Sequence, residues 1–274
     1  MNNSGKQIYG KVIANRPLID NHYLMSITLN EPILKPLPGQ FIMLLMGGRE
    51  GTFLGRPFSV YRIECRGKKT NIEILYRAVG KGTSVMSTLK PGEMLRILGP
   101  RGKGFDFFPK ATHIIMIAGG VGIAPMSYLA SFLRESQDGN EKKFSCYVGA
   151  KTADHILGLD NLETICSSVN ISTDDGSAGY HGMITERFEQ DLASFQPDKS
   201  IIYACGPTPM LKKLSEILNE RLISCQILLE QRMACGIGAC LGCVVQVKDQ
   251  NGESPYRRVC KEGPVFDIKD IAWQ

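Results

Sequence analysis

Apolar residues follow two different rhythms along this chain. From Lys6 to about Leu98 they come in short runs, several alternating with polar residues: IYGKVIAN, YLMSITLN, QFIMLLM, FSVYRIE, NIEILYRAV and EMLRILGP. Alternation puts apolar side chains on one face of a strand, and each run is bounded by Gly, Pro, Asn or Asp. Six strands so spaced predict a small antiparallel barrel, with KPLPGQF and LKPGEM as turns.

From about Thr112 the pattern changes. HIIMIAGG is a short continuous apolar run, as a parallel strand buried on both faces requires. APMSYLASFLRES follows with helical spacing, then KFSCYVGAK (strand), HILGLDNLETIC (helix), VNISTDD (strand), ITERFEQDLASF (helix), SIIYACGP (strand) and TPMLKKLSEILNERL (helix). Alternating strand and helix predicts a doubly wound parallel sheet, ending near Ser224. The last fifty or so residues carry clustered cysteines on loops and short strands such as CVVQVK. The expected fold class is therefore multi-domain β plus α/β: a barrel over residues 1–104, an α/β domain over 105–224 and a C-terminal module over 225–274.

Composition narrows this reading. The 274 residues are 43% hydrophobic and 22% charged, ordinary for a globular chain with a core. The net charge of +5 is spread out rather than gathered in a basic stripe, so nucleic acid is not an expected partner. The polar start MNNSGKQIYGKVIAN does not read as a signal peptide, and Gly and Pro125 interrupt the longest apolar run, a poor membrane span. A soluble, cytoplasmic protein without a membrane partner is expected. Its nine cysteines are then reduced thiols, and clustering points to a metal centre or redox chemistry.

Cys235, Cys240 and Cys243 form a C-x4-C-x2-C frame in RMACGIGACLGCVVQV, and Cys260 follows in RRVCKEGPVF. This is the plant-type 2Fe–2S spacing. Three thiolates must converge inside a tight loop, which Gly236, Gly238, Gly242 and small Ala239 permit. KDQNGESPYR between the third and fourth cysteines reads as a hairpin turn. Structural zinc is the alternative, although zinc ribbons favour two C-x2-C knuckles and only one half has that spacing here. Cys65, Cys146, Cys166, Cys205 and Cys225 are scattered and read mostly as small buried hydrophobes.

Two further stretches suit phosphate. IAGGVGIAP (Gly119, Gly120, Gly122, Pro125) ends the first parallel strand and opens a helix, where glycines admit a pyrophosphate and the helix N-terminus attracts it. In LYRAVGKGTSVMSTL, Gly82 and Thr83 open a short helix whose N–H groups suit an anion, or form an ordinary cap.

GRPFSVY, LYRAVGKGT, the G-G-x-G-x-x-P turn and CGPTPM together resemble the ferredoxin–NADP reductase superfamily. The resemblance implies a flavin-binding barrel and a nucleotide domain. Arg56, Pro57, Phe58 and Ser59 would form the flavin strand, with Arg56 on the FAD pyrophosphate and Ser59 near the hydride-accepting nitrogen. Phe58 stands where many members have Tyr. Leu75, Tyr76 and Arg77 would lie along the adenosine and ribityl side, with Gly82 and Thr83 at the pyrophosphate. Gly119, Gly120, Gly122 and Pro125 would take NAD, and Cys205, Gly206 and Pro207 would lie beside the nicotinamide. Lys151 is the one base after the second parallel strand and no Arg is there to grip a 2′-phosphate, so NAD is expected over NADP.

With RMACGIGACLGCVV and RVCKEGPVF added, nearly the whole chain is similar to the electron-transfer subunits of two-subunit, NAD-dependent dihydroorotate dehydrogenases. That implies an FMN-containing catalytic partner, a heterotetramer of two plus two, and electrons passing through a 2Fe–2S cluster and FAD to NAD+ in pyrimidine biosynthesis. CKEGPVF is not needed for ligation and reads either as a partner-facing surface or as a loop packed on the cluster. A small subunit of a flavin-based NADH/ferredoxin–NADP transhydrogenase or sulfide dehydrogenase is the alternative. Some of those chains replace a cluster Cys by Asp, and this one has all four. A non-enzymatic redox sensor or zinc-stabilised module is the reading from another class.

Overall fold

The structure, a computed structural model, describes residues 7–29, 31, 33–47, 52–67, 69–136, 141–248 and 255–273. Two compact units divide the chain: Met1–Gly104 with Glu230–Val244 and Arg258–Pro264, and Phe105–Leu229 with Val245–Arg257 and Val265–Gln274.

The first unit is built on strands β1 (Gln7–Pro17), β2 (His22–Leu29), β3 (Phe41–Leu45), β4 (Arg56–Ser59), β5 (Arg62–Arg66) and β6 (Lys69–Arg77), helix α1 (Lys81–Ser87) and strand β7 (Met94–Arg101). Strand order is β4-β3-β7-β1-β2-β6-β5, all antiparallel. Period-two burial explains β1: Ile8 and Val12 face the core while Gln7, Tyr9 and Lys11 face out. KPLPGQF and LKPGEM do turn the chain, with Gly39 at φ +93° and Gly92 at φ +96°. FSVYRIE is not one strand. The chain leaves one edge of the sheet after Ser59, buries Val60 and Tyr61, and resumes at the other edge, giving seven strands where six were expected.

The second unit contains β8 (His113–Gly119), α2 (Ile123–Arg134), β9 (Lys143–Ala150), α3 (Asp160–Ile165), β10 (Ser168–Thr173), β11 (Tyr180–His181), α4 (Ile184–Asp191), β12 (Ser200–Cys205), α5 (Thr208–Leu218) and β13 (Ser224–Leu228). The strands β14 (Val244–Gln246) and β15 (Tyr256–Arg258) pair with each other, and β16 (Val265–Asp267) completes the larger sheet in the order β11-β10-β9-β8-β12-β13-β16. All its neighbours are parallel except β13 and β16. The apolar runs of β8 and β12 are buried nearly throughout, as strands covered on both faces must be. On α5, Met210, Leu211, Leu214 and Leu218 share one buried stripe.

Two expectations are corrected. The sheet does not end at Ser224, because β13 begins there and β16 returns after the cysteine loop to pair with it. HILGLDNLETIC is helical only over Asp160–Ile165, because Gly158 at φ +67° breaks the run. The expected turn in KDQNGESPYR falls at residues 249–254, outside the described residues, although its flanking strands pair. Among the described residues no helix is long and apolar enough to cross a membrane.

Candidate cofactor sites

Strand β4 lies at the edge of its sheet, paired with β3 so that Arg56 opposes Leu44, Pro57 Met43, Phe58 Ile42 and Ser59 Phe41. All four β4 residues are half-buried. The Arg56 guanidinium donates from Nη1 to the carbonyls of Leu54 (2.6 Å) and Gly55 (3.3 Å). It lies directly over Gly82, where a Cβ would stand 2.4 Å from Nε. Gly82 belongs to the first turn of α1, which carries no acidic residue. A fixed cation at the positive end of a helix is a place for an anion, and a diphosphate fits this cradle. The Thr83 hydroxyl accepts from the N–H groups of Val79 (2.9 Å) and Gly80 (3.1 Å), so it caps its own helix.

Strand β6 meets β4 through aromatic rings. Tyr76 contacts Phe58 edge-on at 5.8 Å between centroids and stacks on Tyr23 at 5.4 Å. Leu75 and Tyr76 are buried, whereas Arg77 is exposed. Tyr76 donates its hydroxyl to Asn15 Oδ1 (3.0 Å), and burial pushes its phenol well above the usual range. Asn15 Nδ2 in turn donates to the carbonyls of Met86 (2.9 Å) and Leu89 (3.2 Å), fastening the end of α1 to the barrel. The Tyr76 hydroxyl is therefore tied through Asn15 to the end of α1.

In the second unit the two glycine turns touch backbone to backbone. A Cβ on Gly122 would lie 2.2 Å from the Cys205 carbonyl oxygen, and one on Gly206 would lie 3.0 Å from the Gly119 nitrogen. Gly120 has φ +53° and open space around it, which leaves its backbone face accessible. Pro125 sits in the first turn of α2, where its missing N–H costs nothing. The turns follow β8 and β12, adjacent strands from which the chain proceeds to opposite sides of the sheet. Such a switch point forms a crevice for a nucleotide at the carboxyl ends of the strands. Cys205 is fully enclosed, and its side chain ends the buried run of β12. Lys151 is exposed at the end of β9, and the N–H groups of Asp174 and Asp175 bond to the carbonyls of Ala150 (3.1 Å) and Lys151 (3.3 Å). Ser59 and Cys205 belong to different units.

The four clustered cysteines lie in the first unit as two pairs, Cys235 with Cys240 and Cys243 with Cys260. Backbone N–H groups point at the sulfurs: Ile237 and Cys240 to Cys235 Sγ (both 3.4 Å), Gly238 to Cys260 Sγ (3.1 Å) and Cys260 to Cys243 Sγ (3.4 Å). Burial works against the Cys235 thiolate, but these N–H bonds and the Cys240 thiol outweigh it and bring the thiol down to about 6. Burial and the neighbouring Cys243 push Cys260 up to about 12, so a metal cation is what would let that pair lose both protons. Two thiol pairs with N–H groups aimed at sulfur are a donor set for a thiolate-held iron–sulfur centre. Of the other five cysteines, Cys146, Cys205 and Cys225 are buried, Cys166 is half-buried and Cys65 is exposed.

Three supporting residues were not singled out by the sequence. Met43 of β3 lies between the two motifs: its Cε is 3.1 Å from a Cβ position on Gly55, and its Cγ is 2.7 Å from one on Gly236. Arg258 and Glu262 pair across Cys260. The only sequence signal for that pair was its placement two residues to either side of the cysteine. The rest of CKEGPVF is also used internally, since Lys103 N donates to Gly263 O (2.5 Å) and Pro264 fills the space beside Gly102.

Solved structures share this fold. That of the NADH-dependent reduced ferredoxin–NADP oxidoreductase aligns with a TM-score of 0.81 over 96% of this chain and 90% of that one, at 23% identity. A ferredoxin–NADP+ reductase from Neisseria gonorrhoeae, solved with bound FAD and NADP, gives 0.64 over 78% and 91%, at 17% identity. The fold is therefore that of the ferredoxin–NADP reductase class. Residues 116–216 match the oxidoreductase NAD-binding domain, and residues 230–272 match the iron–sulfur cluster binding domain of dihydroorotate dehydrogenase B. The dihydroorotate dehydrogenase B (NAD(+)) electron transfer subunit of Caldanaerobacter subterraneus subsp. tengcongensis is 38% identical over 95% of this chain and 96% of its own length. That of Clostridium acetobutylicum is 35% identical over 93% of each chain. The chain belongs to the family of dihydroorotate dehydrogenase B electron transfer subunits.

Proposed function

We propose that this protein carries electrons from an FMN-containing dihydroorotate dehydrogenase subunit, through a 2Fe–2S cluster and FAD, to NAD+ in pyrimidine biosynthesis. It works in the cytoplasm within a heterotetramer of two plus two. Residues 1–104 hold FAD, the parallel-sheet unit that begins at Phe105 holds NAD, and the cysteine segments Glu230–Val244 and Arg258–Pro264 hold the cluster. When bound, FAD exchanges two electrons with nicotinamide and single electrons with the iron–sulfur centre. The observation that carries the reading is Met43, whose side chain separates Gly55, next to Arg56, from Gly236, next to Cys235. One buried side chain thereby joins the flavin strand to the cluster loop.

Within this reading each residue has a defined task. Arg56 and the first turn of α1 at Gly82 and Thr83 grip the FAD pyrophosphate. Pro57, Phe58, Ser59 and the Leu75–Arg77 backbone frame the flavin, with the Ser59 hydroxyl placed to orient the hydride-accepting edge. Gly119, Gly120, Gly122 and Pro125 admit the NAD pyrophosphate, while Cys205, Gly206 and Pro207 shape the nicotinamide pocket. No arginine follows the second parallel strand, only Lys151, which supports NAD over NADP. Cys235 with Cys240 holds one iron, and Cys243 with Cys260 holds the other.

The test uses the anaerobically purified chain with FAD, iron and sulfide restored. NADH should bleach the flavin and produce a paramagnetic iron signal; its absence overturns the reading. Adding the FMN subunit should give dihydroorotate-dependent NAD+ reduction. Activity only with ferredoxin and NADP would instead select the transhydrogenase alternative.

A further inference from the structure

We propose that Arg258 and Glu262 are positioning residues that set the reduction potential of the cluster with opposite signs. The inference deepens the reading above and rests on Cys260 being a cluster ligand. Arg258 donates from Nε to Glu262 Oε2 (2.9 Å) and from Nη2 to Glu262 Oε1, a two-pronged contact. Its backbone N–H also donates to Glu262 Oε2 (2.8 Å), and its carbonyl accepts from the N–H groups of Lys261 (3.1 Å), Glu262 (2.9 Å) and Gly263 (3.3 Å). These bonds close a tight turn around Cys260. The remaining arm of the fork reaches across to the cysteine loop, where Nη1 donates to Gly238 O (2.9 Å). Gly238 N in turn donates to Cys260 Sγ (3.1 Å). One guanidinium therefore fixes the residue that supplies an N–H to a ligand sulfur, and it does so from within the turn that carries that sulfur.

The consequence is electrostatic. Uptake of one electron adds a negative charge to the cluster and breaks no bond, so nearby donors and cations favour the reduced form. Arg258 favours reduction twice, through its charge and through the Gly238 N–H it holds in place. Glu262 opposes reduction by neutralising that charge, while keeping the fork aimed. A planar fork is needed for both contacts, so lysine is an incomplete substitute.

The experiment is an anaerobic redox titration of the reconstituted full-length chain, following the paramagnetic signal with dithionite as reductant. Arg258→Gln should lower the reduced-to-oxidised ratio at a fixed potential about tenfold, which for one electron is a shift of about 59 mV to lower potential. Glu262→Gln should shift the midpoint the other way. Arg258→Lys should restore part of the loss. Iron content and the visible spectrum of each variant show whether the cluster is retained. Unchanged midpoints, or shifts of the same sign in Arg258→Gln and Glu262→Gln, overturn the proposal. So does loss of iron from both Arg258→Lys and Glu262→Gln, since the pair would then be a structural brace alone. Absence of the signal in the unmodified chain would instead refute the cluster reading itself.

Discussion

The side chain of Met43 occupies the space that a Cβ on Gly236 would need, with its Cγ 2.7 Å and its Sδ 2.8 Å from that position. Met43 is fully buried and its strand partner is Pro57, so room for a Cβ at Gly236 must come from a packed side chain. Gly236 also has φ +66°, a region that costs an L-residue roughly 1–2 kcal/mol. Gly236→Ala is therefore expected to displace the loop that begins at Cys235 and to lower iron per chain by roughly half or more, while FAD, proposed to lie at Arg56 and Gly82, stays bound. Iron and flavin assays on the same preparation check this. Equal loss of both would show that Met43 supports only the barrel.

A second prediction concerns pH. Tyr147 donates its hydroxyl to Asp191 Oδ2 (2.7 Å), and Arg187 donates to Oδ1 (2.8 Å) one helical turn away. Burial works against the Asp191 charge, but the bonds from Arg187 and Tyr147 outweigh it and hold the carboxyl below its ordinary value. A depressed carboxyl stabilises the fold above its unfolded value near 4, and that contribution is lost as pH falls through the folded value. Asp191→Asn should cost about 1 kcal/mol near pH 7, allowing for the partial exposure of the pair. The gap to the unmodified chain should close in acid. Denaturant unfolding at several pH values measures it, and a gap that persists below pH 3 would assign the cost to packing.

Much of this architecture was legible because it is written in local pattern. The apolar runs of β8 and β12 could only be strands covered on both faces, and the alternation in β1 could only be half-buried. The spacing of Cys235, Cys240, Cys243 and Cys260 was visible for the same reason, since loop geometry dictates it. What stayed hidden depends on contacts distant in sequence. The three residues of β16 have no strand signature of their own and form one by pairing with β13. Met43 reads as one more apolar strand residue until Gly55 and Gly236 are found on either side of it. Phe58 and Tyr76 gave no sign of meeting, and the support role of the Tyr76 hydroxyl needs Asn15, sixty-one positions away. Gly158 breaks an otherwise amphipathic run, a local cue that helical spacing outweighed.

The last prediction addresses the flavin cradle. The Arg56 guanidinium covers Gly82 so closely that a methyl group there would lie 2.4 Å from Nε and 2.5 Å from Cζ. Arginine is flexible, so Gly82→Ala should fold and merely push the fork aside, away from the N-terminal turn of α1. The carbonyls of Leu54 and Gly55 that now hold Nη1 would compete for it in its new position. Losing the paired action of cation and helix end should weaken FAD binding by roughly tenfold, about 1.4 kcal/mol. Arg56→Lys should do at least as much, because a point charge cannot bridge phosphate oxygens as a planar fork does. Fluorescence titration of the apoprotein with FAD measures both, and thermal unfolding of the same apoprotein separates binding from stability. Unchanged FAD affinity in Gly82→Ala, with an unchanged melting temperature, would mean that the pyrophosphate does not lie between this arginine and this helix.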